Sequence, residues 1–215
     1  MPTRCGLILA AGASSRMGAD KALLPWPPAG TEGSTLLSAA ILALRPFTSA
    51  VVVVAGENSA RLAPIAAACG ASVVRNPAPE RGQFSSLQIG LREVLARRCD
   101  AAMITPVDNP PLSAASLELL CAEFDCALAR GRWAVVPESN GRHGHPLLAG
   151  RPLIDAFLNA PPTGNARQVK RAHAQFFEYV SVPDAYLAAD VNTPEEYAAL
   201  SAKAQPPPRS SLPSS

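Results

Sequence analysis

No segment of this chain approaches the roughly 20 consecutive apolar residues that a membrane helix needs, and the run AVVVVA at 50–55 is far too short. Nor is there a basic stripe of the kind a phosphate backbone selects. The 19 Lys and Arg and 17 Asp and Glu are spread along the sequence for a formal charge of +2, so no nucleic-acid partner is expected. The five cysteines, Cys5, Cys69, Cys99, Cys121 and Cys126, are odd in number and form no CxxC pair. They read as reduced, buried small hydrophobes rather than a disulfide framework. Cys121 and Cys126 lack the second thiol pair that would complete a zinc site. A secretory leader is not expected either. Arg4 precedes GLILAAGA, but that apolar stretch is at the short limit for such a segment and only one Arg precedes it. Together these absences predict a soluble, cytoplasmic protein with no membrane partner.

What the sequence does contain is an alternation of short Val- and Ile-rich runs with longer helical patterns, the signature of βα units and a mostly parallel sheet. CGLIL (5–9), AVVVVA (50–55), ASVVR (71–75), AAMIT (101–105) and WAVVP (133–137) are the strand candidates, each expected to be buried on both faces. Apolar residues recur at helical spacing in 34–45, 58–69, 85–98 and 113–130, with Ser34, Ser85 and Ser113 placed as N-caps. Beyond residue 138 the pattern loosens to a strand at HPLLAG, a short helix at GNARQVKRAH and an alternating strand at AQFFEYVSV. In NTPEEYAALSAK, Thr193 with Pro194 and Glu196 forms a capping box and fixes a last helix. One domain is expected over 1–203, followed by a disordered Pro- and Ser-rich tail at 204–215.

The turn after the first strand of an α/β sheet is the natural place for a phosphate site. Two standard loops are absent there. Gly12 and Gly18 have five residues between them, which breaks GxGxxG, and Gly18 is followed by Ala19-Asp20-Lys21 rather than Lys-Ser/Thr, which breaks a Walker A loop. What remains is a long loop with Gly12, Ser14, Ser15, Arg16, Gly18 and Lys21. A glycine lets an anion approach the backbone, Arg16 can grip phosphate oxygens bidentately, and Lys21 supplies a mobile point charge. That equipment suits a triphosphate. The competing reading is a plain loop with solvated cations.

LAAGASSRMGADK (9–21) resembles LAAGxSxRMGxxK, the signature of the nucleotidyltransferases related to the molybdenum cofactor enzymes, the MobA-like NTP transferases. The resemblance continues in order through RNPAPERGQFSSLQIGL (75–91), PVDNPPL (106–112), GRHGHPLL (141–148), GNAR (164–167) and DVNTPEEY (190–197). It implies a three-layer, Rossmann-like nucleotidyltransferase fold. It also implies a reaction in which an acceptor phosphate attacks the α-phosphorus of a nucleoside triphosphate and pyrophosphate leaves. By resemblance Leu9, Ala10, Ala11, Gly12, Arg16, Lys21, Asn76, Gly82, Ser85 and Ser86 bind the nucleotide, and Arg16, Lys21 and Asp108 are catalytic. Asp108 would hold Mg2+, joined by Asp190 or Asn192, and His145 and Asn165 would face the acceptor.

Each of these residues also has an ordinary structural role open to it. Asp108 can make an Asx turn, Ser85 can cap a helix, and Asp190 and Asn192 can support the turn into the last helix. Ala11 is similar to the cytidylyl-transferring branch, whose loop reads LAAG where the guanylyl branch tends to LAGG, so CTP is the expected donor. The implied acceptor is molybdopterin-type molybdenum cofactor, and the implied recipient a molybdoenzyme of the xanthine dehydrogenase type. Departures from the family pattern fall at Gln83-Phe84, Asn109, Pro111 and Asn165. They bear on the acceptor more than on the reaction type and leave open a sugar or polyol phosphate in its place. The third reading, a protein that binds nucleotide or cofactor without turnover as an insertion factor, is opposed by Asp108, Arg16 and Lys21 standing together.

Overall fold

The computed structural model describes residues 2–12, 17–27, 34–187 and 189–204. Among them eight strands form one sheet: β1 (Arg4–Ala10), β2 (Ala50–Ala55), β3 (Ser72–Arg75), β4 (Ala101–Pro106), β5 (Ala134–Ser139), β6 (Arg142–His143), β7 (Leu147–Gly150) and β8 (Phe177–Ser181). The α-helices are α1 (Leu36–Leu44), α2 (Ser59–Ala68), α3 (Gln83–Ala96), α4 (Ala114–Ala129), α5 (Arg151–Asn159), α6 (Ala166–Ala172) and α7 (Pro194–Ala204).

Strands β3, β2, β1 and β4 run parallel in that order, as the alternation of short apolar runs with helical patterns predicts. Strand β7 is antiparallel to both β4 and β5, which restores β5 and its parallel neighbour β8 to the common direction. Residues 134–138 of β5 pair with β8, while β7 and β6 pair with 134–135 and 138–139. Since a strand has two edges, β6 and β7 must share one edge of β5 and β8 the other. The chain between β6 and β7, Gly144 to Pro146, therefore leaves and rejoins the sheet at its carboxyl end.

Alternating side chains sort onto two faces. Ile8, Val53 and Met103 pack with Leu37, Leu62 and Phe124 of α1, α2 and α4. Leu7, Val54 and Ile104 pack with Leu91, Phe157 and Val169 of α3, α5 and α6. The result is the expected three-layer α/β architecture. Strand β3 departs from the expectation of two-sided burial. It is the edge strand, and its residues are half-buried or exposed because no strand covers its outer side.

Two N-caps also differ from the sequence reading. Thr35, not Ser34, caps α1, because Ser38 lies three residues on and closes a reciprocal capping box. Helix α3 starts at Gln83 with Gly82 as its cap, at a φ of +89° that favours glycine, so Ser85 falls inside the first turn. Ser113 caps α4 as predicted, accepting a hydrogen bond from Ser116 N.

Helix α3 crosses β1 and β2 closely at Gly90, where a Cβ would lie 2.4 Å from Leu7 Cδ1 and 2.8 Å from Val54 Cγ2. Gly90→Ala is therefore expected to destabilise the protein by about 1–3 kcal/mol although alanine is the better helix former. The readout is a lower urea midpoint at unchanged slope. An unchanged midpoint would mean the helix shifts freely.

A third apolar cluster joins distant parts of the chain. Trp26 and Leu36 pack with Val191 and Leu200, and Met17, Leu24, Tyr186 and Tyr197 surround them. Tyr197 Oη donates to Pro25 O at 2.7 Å, and Trp26 meets Tyr186 edge-on at 5.3 Å. The capping box of α7 forms as predicted: Glu196 Oε2 accepts from Asn192 N and Thr193 N, and Thr193 Oγ1 accepts from Glu196 N.

Candidate active site

The sheet order reverses at β1, with β2 on one side and β4 on the other. The loops leaving β1 and β4 consequently diverge and open a crevice at the carboxyl ends of the strands, where ligands bind in open α/β sheets. A cleft of about 260 Å³ lies there, and Leu9, Ala10, Ala11, Gly12, Gly82, Ser86, Lys21, Asp108 and Asn192 all line it. A Cβ on Gly12 or on Gly82 would meet no described atom within 4 Å.

At one end of this cleft Lys21 Nζ donates to Asp108 Oδ2 at 2.9 Å and to Asn192 Oδ1 at 2.8 Å. Three hydrogen bonds bring the late segment to this point. Val191 N donates to Asp108 O at 2.9 Å, and Asn109 Nδ2 donates to Ala189 O at 3.2 Å and also to Asp190 Oδ1. Asp190 is thus held by Asn109 and faces a neighbouring cleft, whereas Asn192 reaches the Asp108 carboxylate through Lys21. The buried Val191 anchors the segment in the third apolar cluster.

Lys21 opens a 3-10 turn, Lys21–Leu23, capped by Asp20, whose Oδ1 accepts from Ala22 N at 3.2 Å. Asn58 Nδ2 donates to Asp20 Oδ2 at 3.0 Å and to Ala10 O at 3.2 Å, and its Oδ1 accepts from Gly56 N at 3.0 Å. One amide thereby ties the ends of β1 and β2 to the turn that carries Lys21. Asp20 and Asn58 were not singled out from the sequence. The available signal was a polar residue just beyond the carboxyl end of a buried parallel strand.

Asn76 and Ser85 do not reach the cleft. Asn76 is 1% exposed, and its amide donates to Ser85 Oγ and Ser86 Oγ at 2.9 Å each. Ser85 Oγ donates to Gly82 O at 2.8 Å. These bonds brace the first turn of α3 and hold Ser86 and Gly82 at the cleft. Arg16, Ser14 and Ser15 lie outside the described residues.

Two further cavities adjoin the first at Gln83 and Pro106. One, about 340 Å³, is lined by Asp108, Asp190, Asn192 and His145. Burial holds the His145 imidazole below its ordinary pKa, so the ring is neutral at pH 7, and Nδ1–H points to Ile104 O at 3.4 Å. The Nε2 nitrogen is then left as an acceptor. At Gly144 a Cβ would come within 2.5 Å of Leu187 O, so the bend before His145 packs directly on the strap leading to Asp190.

The other cavity, about 580 Å³, has Phe84, Leu87 and Phe157 as an apolar floor and Arg81, Arg167 and Lys170 at its rim, and among the described residues no carboxylate lines it. Burial and the neighbouring Arg167 lower the Lys170 pKa. His145 and Asn165 both line this cavity, and Asn165 also caps α6, accepting from Gln168 N at 2.9 Å. Arg81 and Lys170 were missed in the sequence, where nothing distinguishes them from surface cations. A described group of three or more His, Cys, Asp or Glu side chains able to hold a metal is absent, and no described helix is long and apolar enough to cross a membrane.

Residues 6–176 match the model of the MobA-like NTP transferase domain. The chain is 27% identical over 192 residues to the molybdenum cofactor cytidylyltransferase of Escherichia coli K12, covering 89% of this chain and 92% of that one. It is 32% identical over 202 residues to a molybdenum cofactor guanylyltransferase of Cereibacter sphaeroides, covering 90% and 93%. A crystal structure from Mycobacterium tuberculosis H37Rv, in complex with manganese, shares the fold at a TM-score of 0.66 and 22% identity, covering 92% and 97%.

Proposed function

This chain belongs to the MobA-like NTP transferase family and is a nucleotidyltransferase, and from that premise we propose that it transfers CMP from CTP to the phosphate of a molybdopterin-type molybdenum cofactor, using Mg2+ and releasing pyrophosphate. The observation that carries this reading is the Lys21 ammonium held between Asp108 and Asn192 at the switch point of the sheet. The relatives named for transfer to molybdenum cofactor support the acceptor, although they are divided between cytidylyl and guanylyl transfer.

The donor set fits a hard divalent cation. Asp108 offers a carboxylate and Asn192 an amide oxygen, and a cationic nitrogen already lies between them. Two protein oxygens suit Mg2+, which keeps waters and takes the rest of its ligands from substrate phosphates. The neighbour crystallised with manganese supports a divalent metal in this fold. Bound there, the ion would neutralise charge on the triphosphate.

The chain's own residues supply the remainder. Lys21 moves its charge onto the phosphates when nucleotide enters, Arg16 takes the departing pyrophosphate, and the backbone at Ala11 and Gly12 faces the nucleoside. The acceptor lies in the basic cavity beside His145 and Asn165, with the recipient molybdoenzyme as the protein partner. An aromatic floor beneath three cations suits a planar anionic molecule better than a polyol phosphate.

The test is pyrophosphate release with each of the four ribonucleoside triphosphates, Mg2+ and candidate acceptors. Release with a sugar phosphate and none with the pterin cofactor would move the acceptor to the other class. A paired comparison assigns the second ligand. Asn192→Ala is expected to raise the Mg2+ concentration for half-maximal activity by about tenfold. Asp190→Ala should leave it within about twofold, since Asn109 already engages that carboxylate. The reverse pattern would transfer the role to Asp190.

A further inference from the structure

The triphosphate cleft, the His145 cleft and the basic cavity meet at one place. Gln83 and Pro106 line all three. Pro106 has no N–H, and its carbonyl already accepts from Thr105 Oγ1 and Asn109 N. Gln83 is different: its side chain is exposed and, among the described residues, its carboxamide has no hydrogen-bond partner. It is also rigidly based. It is the first residue of the 14-residue helix α3, which is braced by the buried Asn76 through Ser85 and Ser86 and packed closely on β1 at Gly90.

We propose that Gln83 is a catalytic residue of this site, its Nε2–H groups donating to phosphoryl oxygens of both substrates where the acceptor phosphate meets the α-phosphate. This rests on the nucleotidyl-transfer reading above. In the step concerned, an acceptor phosphate oxygen gives a lone pair to the α-phosphorus. The bond from that phosphorus to the bridging oxygen of the β-phosphate breaks, and pyrophosphate leaves with the electron pair. The product is a pyrophosphate diester spanning two of the cavities, and no base is required. Two anions must come together for this, and each needs a donor at the junction. A neutral carboxamide with two N–H groups can serve both without anchoring either reactant as a fixed cation would.

The assignment separates two kinds of ligand. A triphosphate alone occupies the first cleft, whereas a diphosphate diester crosses the junction. Calorimetry with Mg2+ and the full chain compares CTP with CDP-glycerol, and in parallel GTP with GDP-mannose. Gln83→Met, close in volume but without donors, is expected to weaken the diester by about tenfold and leave the triphosphate within about twofold. In turnover the same variant should lower kcat by roughly 10- to 100-fold at nearly constant nucleotide KM. Gln83→Glu should fall further, because a carboxylate repels both phosphates, and both variants should melt as wild type does because the side chain is exposed.

A Gln83→Met protein that binds the diester and turns over normally overturns the assignment. So does one that loses the triphosphate as much as the diester, which would make Gln83 a simple nucleotide contact. Wild type that binds both ligands but transfers to no molybdenum cofactor overturns the acceptor in the reading above and leaves Gln83 standing.

Discussion

Asp108→Asn is expected to lower pyrophosphate release by about a thousandfold or more while the protein melts within a few degrees of wild type. The reasoning is electrostatic. Asp108 is the carboxylate of the cleft that sits within reach of Lys21 and Asn192, and an amide in its place offers an oxygen donor without the charge that attracts a divalent ion. Folding should be affected little. The Lys21–Asp108 pair is partly solvated, with side chains 12% and 28% exposed, and Lys21 keeps its bond to Asn192 in the variant. A pair of that kind contributes on the order of 1 kcal/mol, equivalent to about 2–4 °C for a domain of this size. Normal turnover by Asp108→Asn would remove the residue from the metal site. A large loss of melting temperature would make the ion pair a folding element first.

The second large effect concerns the base, with CTP expected over GTP by about a hundredfold in kcat/KM. Ala11 follows β1 directly and lines the cleft, and a Cβ at Gly56 would come 3.0 Å from Ala11 O. The end of β2 therefore abuts the Ala11 backbone and leaves it little room to retreat from a larger base. A methyl group at this point narrows the space for a purine more than for a pyrimidine. Hydrogen bonding provides the rest, since a pocket fitted to the cytosine edge leaves polar groups unpaired against guanine at roughly 1–3 kcal/mol each. Ala11→Gly alone should relax the preference without reversing it. Competition between CTP and GTP for one limiting acceptor measures this directly. Equal use of both would defeat the base assignment. A preference for GTP would place the chain with the guanylyl-transferring relatives and leave the roles of Asp108 and Lys21 untouched.

The sequence by itself determined the parts that depend on local pattern. Short apolar runs buried on both faces dictated β1, β2 and β4, and the spacing of apolar residues dictated the helices between them. The Thr193-Pro194-Glu196 box fixed the start of α7, because capping is settled within one turn of chain. The motif LAAGASSRMGADK pointed to the family and to Lys21, and PVDNPPL to Asp108.

Tertiary structure alone decided how these pieces meet. Pairing direction is a long-range property, and nothing local in HPLLAG could announce that β7 runs against β4. The choice of Asn192 over Asp190 as the partner of Lys21 depended on Asn109, some 80 residues earlier, reaching across to occupy the Asp190 carboxylate. Asn76 looked like a ligand contact in its motif, yet burial turned it inward to brace α3, since a buried amide must satisfy its donors within the protein. Arg81, Gln83 and Lys170 gained meaning only when separate helices and turns delivered them to the walls of adjoining cavities. Side-chain chemistry is written in the sequence, but the field and the partners each side chain meets are set by segments that are close in space and far apart along the chain.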